Sequence, residues 1–282
     1  MKNLLCLLLL GGSLSCAAQA PAFQTKCDAS PTGNQLQKTH CETRDLTLPA
    51  PPAGTPLTVD ARLNGGITVR VWSGTSVRVR AWVQGYSGTL ADARALAQAV
   101  QISSGANTLR AARANGSMEG WSVSYEVFVP AQTSLTLTAT NGGIRIENVQ
   151  GTIVFETTNG AVDLAGVGGD VRGKTTNGAL TLTLTGSTWS GTGLDAKTTN
   201  GSVTCQLPAS YAGILVARTT HGRVKASLAP EVRKLLQARS LTATLGKGGP
   251  QIRVSTVNGS IAVNQEGGGK KAGPEPEPEP EE

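Results

Sequence analysis

Eight consecutive residues, Gly168-Gly169-Asp170-Val171-Arg172-Gly173-Lys174-Thr175, fit the phosphate-loop pattern of glycine, four residues, Gly-Lys and Ser or Thr. That pattern holds phosphate only between a strand and a helix, because N–H groups at the helix start cradle the anion. Here Thr176-Asn177-Gly178 follows, and then the strand-like run Ala179 to Leu184. The segment therefore reads as part of a β repeat, and no nucleotide or other cofactor is expected. Carboxylates come next, since elongated β enzymes acting on acidic polysaccharides need clustered Asp or Glu for calcium or for acid–base work. Glu147, Glu156, Asp163, Asp170 and Asp195 instead occur singly, at differing places in the repeat. His40 abuts Cys41 without an orienting third group, and His221 has no Cys or carboxylate cluster beside it. Neither nucleophilic catalysis nor a metal site is expected from them.

The cysteines point to a compartment. Lys2, the apolar run Leu4 to Leu10 and small residues through Ala20 have the order of an export signal, and the run is too short to span a bilayer. Two cleavage readings stand. Cleavage before Cys16 would leave a lipid-modified cysteine, and cleavage near Ala17 to Ala20 would release an unmodified chain. Export makes a Cys27–Cys41 disulfide the natural pairing, worth about 3 kcal/mol. Cys205 shares the inward parity of Val203 and Leu207, so it is expected as a buried inert thiol.

What must position any of these residues is a repeat. Thr-Asn-Gly recurs with its Asn at 141, 159, 177 and 200, followed by variants centred on His221 and Asn258, with an early copy at Asn64-Gly65-Gly66. Steps of 18 to 23 residues mark a solenoid in which one unit cannot bury its own apolar face. Before each turn Ile153 and Phe155, Val171 and Gly173, Leu194 and Ala196, Leu215 and Ala217 share one parity. After it Ile144 and Ile146, Val162 and Leu164, Leu180 and Leu182, Val203 and Cys205 do the same. A column of Thr157, Thr175, Thr198 and Thr219 keeps the inward parity, with hydroxyls able to bond between rungs. Asn and Gly suit a sharp corner because both tolerate positive φ, and stacked asparagines can form a ladder. Leu90 to Gln101 is expected as a single helix, Ala-rich with Asp92 near its start.

The fold class is therefore mainly β, a β-solenoid of β-helix or β-roll type with one short inserted helix. The expected organisation is a signal peptide at 1–20, a linker at 21–56, the β-repeat domain at 57–264 and a Pro-Glu tail at 265–282. The chain carries a net charge of +6, yet Pro274 to Glu282 holds five glutamates and no base. The remainder is basic, and for an exported protein this suits anionic envelope surfaces or acidic polysaccharides rather than nucleic acid. Arg172, Lys174, Lys197, Arg218, Arg223 and Lys225 form the expected outward basic column and the candidate anionic-partner surface.

The leader, the opening Asn64-Gly65-Gly66-Ile67, the helix near Ala91 to Val100, and Trp121-Ser122-Val123 onward through the Thr-Thr-Asn-Gly rungs resemble a large bacterial putative-adhesin family of β-strand repeats. This family is also called Toastrack and is formally a domain of unknown function. The resemblance implies a β-solenoid outside the cytoplasm, in the periplasm, at the outer membrane or on the cell surface. It also implies binding or sensing rather than catalysis, with an envelope-stress signalling protein as one class of partner and no catalytic residues to carry over. Membrane contact would come only through a lipid at Cys16. The expected function is that of a non-catalytic adhesin or envelope ligand-binding protein. The alternatives are a polysaccharide-active β-helix enzyme and a purely structural spacer.

Overall fold

A computed structural model of the chain describes residues 21–24, 27 and 37–268. The expected leader with Cys16, and all of the expected tail beyond 268, lie outside them. The strands β1 (Lys38–Pro49), β2 (Leu57–Asp60), β3 (Ile67–Val71) and β4 (Ser76–Ser87) precede the α-helix α1 (Leu90–Gln98). After it come β5 (Val100–Ser103), β6 (Thr108–Arg113), β7 (Trp121–Val129), β8 (Leu135–Asn141) and β9 (Ile144–Glu147). The repeats proper are β10 (Gln150–Asn159), β11 (Val162–Ala165), β12 (Gly168–Asn177), β13 (Leu180–Thr183), β14 (Gly193–Asn200) and β15 (Val203–Leu207). Last are β16 (Gly213–His221), β17 (Val224–Ser227), β18 (Arg233–Gln237), β19 (Ser240–Leu245), β20 (Gln251–Asn258) and β21 (Ile261–Gln265).

These strands make two mixed sheets, neither closed on itself. One runs β1-β4-β7-β3-β9-β11-β13-β15-β21-β17, and the other β18-β19-β16-β20-β14-β12-β10-β8-β2-β6-β5. The chain crosses from the second sheet to the first at each Thr-Asn-Gly corner. Its middle rungs are parallel and in register, so that Ile153 faces Val171, Phe155 faces Gly173 and Asn159 faces Asn177. Inward residues of both sheets form one apolar core. Their sizes interlock: a Cβ on Gly173 would lie 2.5 Å from the Phe155 ring, so the ring fills the space that glycine leaves.

Glycine at the corners has a different cause from the one expected. No corner glycine from Gly142 to Gly259 has a positive φ. Instead, a Cβ on Gly160, Gly178, Gly201 or Gly259 would sit 2.0–2.1 Å from the turn carbonyl of the adjoining rung. Gly222 meets Gly259 O at 2.0 Å in the same way. The rungs stack so closely there that no side chain fits between them.

The rung order has no counterpart in the sequence reading, and two further expectations are corrected. The rungs do not stack in chain order, because β20 lies between β14 and β16, pairing Asn200 with Asn258 and Asn258 with His221. The inward triad Ile252, Val254 and Thr256 matches the triads of both neighbours, so parity alone could not tell which rung it joins. The stretch 21–56 is not simply a linker, because β1 within it pairs with β4 along twelve residues. The helix ends at Gln98 rather than Gln101. Thr89 caps its start by accepting from Asp92 N–H at 3.1 Å, and after Ala99 the alternating Val100-Gln101-Ile102-Ser103 pairs as a strand with β6.

Gly178→Ala should lower stability by about 3 kcal/mol, read from the urea midpoint, because its methyl meets backbone that cannot yield. Gly186 has positive φ and open space around it, so Gly186→Asn should cost under about 1 kcal/mol. Equal losses in the two variants would show that corner packing is not the constraint.

Candidate functional site

The stacked corner brings five of the six turn residues singled out in the sequence into one file. Asn141 Nδ2 donates to Asn64 Oδ1 at 3.0 Å, and Asn159, Asn177, Asn200 and Asn258 each donate to the next asparagine carbonyl at 2.7 Å. The sixth, His221, sits at the end of the file against Asn258. One column inside, the hydroxyls of Thr157, Thr175, Thr198 and Thr256 donate at 2.8 Å to Gly142, Gly160, Gly178 and Gly201 carbonyls. Thr219 donates to Gly259 O at 2.7 Å, following the spatial rung order. All these polar groups serve the stack itself.

The phosphate-loop lookalike is strand throughout: Gly168 to Thr175 lies in β12, with Lys174 outward and Thr175 tied to Gly160. No helix follows it. Lys174 instead reaches across to Glu156 on β10 at 3.1 Å. Cys205 is fully buried, and burial pushes its thiol up to about 12, so it carries no thiolate at neutral pH. Among the described residues no group of three His, Cys, Asp or Glu stands close enough to hold a metal ion.

The six expected basic residues do not share one face. On the second sheet the register aligns Glu156, Lys174, Lys197, Ser255 and Arg218 across five strands. A shallow depression of about 380 Å³ there is lined by Lys174, Lys197, Ser255, Val257 and Arg218. Lys197 lies 3.8 Å from Asp195, while Arg218 has no carboxylate within reach among the described residues. Arg172 stands one position away on the same face, 3.0 Å from Asp170. Arg223 and Lys225 lie past the His221 corner, on the first sheet's side. Arg253 is the cation that the sequence reading missed. With β20 next to β14 it pairs with Asp195 and shares a depression with Asp170, Arg172 and Asp195. The signal was present, since Arg253 lies five residues before Asn258 as Arg172 does before Asn177.

From β1 to β11 the first sheet's outer face carries cross-strand ion pairs. Asp45 holds Arg80 at 2.7 Å, Arg70 bridges Glu126 at 2.7 Å and Glu147 at 2.9 Å, and Arg145 Nε reaches Asp163 at 3.0 Å. The Arg80 hydrogen bond holds the Asp45 carboxyl below its ordinary range. Over this ladder lies the chain's early segment. Phe23 meets Phe128 edge-to-face at 5.5 Å and sits 4.5 Å under the Arg80 guanidinium. Gln24 N–H donates to the Glu126 carboxylate at 3.0 Å, and Cys27 is disulfide-bonded to Cys41 on β1.

The profile of a family described as Toastrack DUF4097 matches residues 85–264. Two solved structures are similar. One is a "putative cell adhesion protein" from Clostridium sporogenes, at 12% identity and TM-score 0.41, covering 80% of this chain and 100% of that one. The other is a "putative adhesin" from Bacteroides fragilis, at 10% identity and TM-score 0.32, covering 80% of this chain and 97% of that one. No curated protein matches the chain.

Breaking the file in its middle should cost more than completing it gains. Asn177→Ala removes two amide bonds and should lose about 1–2 kcal/mol. His221→Asn should gain about 0.5–1 kcal/mol, because a new amide can donate to Asn258. Thermal unfolding of both variants checks this, and a neutral Asn177→Ala would make the amide file incidental.

Proposed function

The chain belongs to the Toastrack DUF4097 family, and we propose that it is a non-catalytic, exported cell-envelope protein that binds an anionic partner on the outer face of its second sheet. Adhesion and ligand sensing are the two uses that such a face serves. The 1–20 segment is its export signal, with either a lipid on Cys16 or release after cleavage, and the 57–264 repeat region is the binding domain, extended in space by β1. The observation that carries this reading is the row of Lys174, Lys197 and Arg218 around one open depression. Strands about 4.8 Å apart put three cations within about 20 Å, a spacing suited to a partner with repeated negative charge such as an acidic polysaccharide or envelope component. The carboxylates on this face support binding over chemistry, since Asp170 lies at Arg172 and Asp195 at Lys197.

Two measurements test the proposal. The triple variant Lys174→Glu, Lys197→Glu, Arg218→Glu should lose at least about tenfold in binding to dextran sulfate and to anionic phospholipid vesicles, with an unchanged melting temperature. A folded variant that binds as well as the parent would sink the face. Intact mass of the mature protein should show either an acylated Cys16 or a start near Ala18 to Pro21, and a chain beginning at Met1 would refute export.

A further inference from the structure

The end of the stack beyond β16 differs in charge from the rest. Between residues 223 and 247 stand six cations, Arg223, Lys225, Arg233, Lys234, Arg239 and Lys247, against one carboxylate, Glu231. Among the described residues none of the six has a carboxylate within ion-pair distance, whereas Arg70, Arg80, Arg145, Arg172, Lys174 and Lys197 all do. This end is also where both sheets stop, β17 being the edge of one and β18 of the other. Every residue of β18 is exposed, Leu235 at 64% and Leu236 at 43%. An open strand edge beside two exposed leucines is a surface that needs a cover.

The chain itself carries a segment of matching chemistry. Pro274 to Glu282 alternates proline with glutamate and holds five carboxylates and no base. The described residues end at Gly268, which lies against β17, where a Cβ would meet Ser227 O at 2.5 Å. Seven Cα-to-Cα steps lead from Gly268 to Glu275, a reach of about 23 Å. We propose that this acidic segment docks on its own chain's β17–β18–β19 end, with glutamates facing Lys225, Lys234 and Arg239 and proline rings over Leu236, which shares the Lys234 face of β18. A second copy of the chain is a poorer occupant, because its matching end carries the same sign of charge. Proline has no N–H, so the segment covers the edge without continuing the ladder and blocks further strand addition. The short tether gives a high effective concentration, so individually weak exposed pairs suffice. Docked there, the segment withholds the end cations from other polyanions and acts as an internal competitor for an anionic partner.

Carbodiimide coupling of the full chain at low salt, followed by peptide mapping, tests the contact directly. Glutamates of 275–282 should couple within one chain to Lys225, Lys234 or Lys247, and the products should vanish at about 0.5 M salt. Coupling confined to Lys270 and Lys271, directed to Lys174 or Lys197, or found only between chains would overturn the proposal. The competitor role is read separately. Replacing all five glutamates (E275Q, E277Q, E279Q, E281Q and E282Q) should raise dextran sulfate affinity about fivefold, and an unchanged affinity would overturn that role. Because the coupling needs no ligand, it stands or falls apart from the binding face proposed on the second sheet.

Discussion

Close backbone contact between rungs at the Asn-Gly corner is the constraint on which this structure depends. Each corner glycine faces the neighbouring corner's carbonyl at a distance that excludes any Cβ, so the corners can stack in only one way. Once stacked, the asparagine amides fall into a file and the threonine hydroxyls reach the same carbonyls from inside. A slip of one residue would turn every inward side chain outward, and the core therefore enforces the register that the corner sets. Column packing follows from the same lock, as the Phe155 ring over Gly173 shows.

A stack locked in this way grows by edge pairing, and its two ends must be stopped. At the first end antiparallel strands do this, β5 on β6 in one sheet and β1 on β4 in the other, with α1 packed by Ala93 and Ala97 against Gly85. The disulfide and the Phe23 contact hold the early segment over the outer ion-pair ladder there. At the far end the β18–β19 hairpin lies antiparallel on β16, leaving β17 and β18 as edges. The two ends are thus finished by different means, one by a helix and a covalent tie, the other by a short, highly charged strand.

The sequence made the stack legible because alternation and the corner tripeptide are local signals, read from a few adjacent residues. Inward and outward parity before and after each turn could be assigned from sequence for the same reason. What escaped were the non-local choices. Placing β20 between β14 and β16 is a decision between two edges that present identical apolar columns, and no residue of β20 marks the difference. Residues 38–49 alternate as β1 but sit among Pro, Thr and Gln with no repeat around them, so their partner β4 was invisible. The expected helix ran on to Gln101 because Val100 lies four residues after Leu96, a helical spacing, while Val100 and Ile102, two residues apart, equally fit the strand that forms. The proposed binding face was half legible: the outward parity of Lys174, Lys197, Arg218 and Arg253 could be read from sequence, whereas the placing of Ser255 and Arg253 beside β14 depended on the rung order.

For the anionic partner proposed above, that rung order also ranks the basic residues. Lys174 and Lys197 adjoin in register, yet each has a carboxylate nearby, Glu156 on the neighbouring rung for one and Asp195 on the same strand for the other. Pairs as exposed as these contribute about 0–1 kcal/mol, so a polyanion can displace the carboxylate at small cost. Arg218 stands next to Ser255 and has no such competitor, which makes it the first cation on the face that an anion would engage. The insertion of β20 therefore acts on the site as well as the fold. It separates Arg218 from Lys197 by one rung and places the small Ser255 between them, in the depression that all three line.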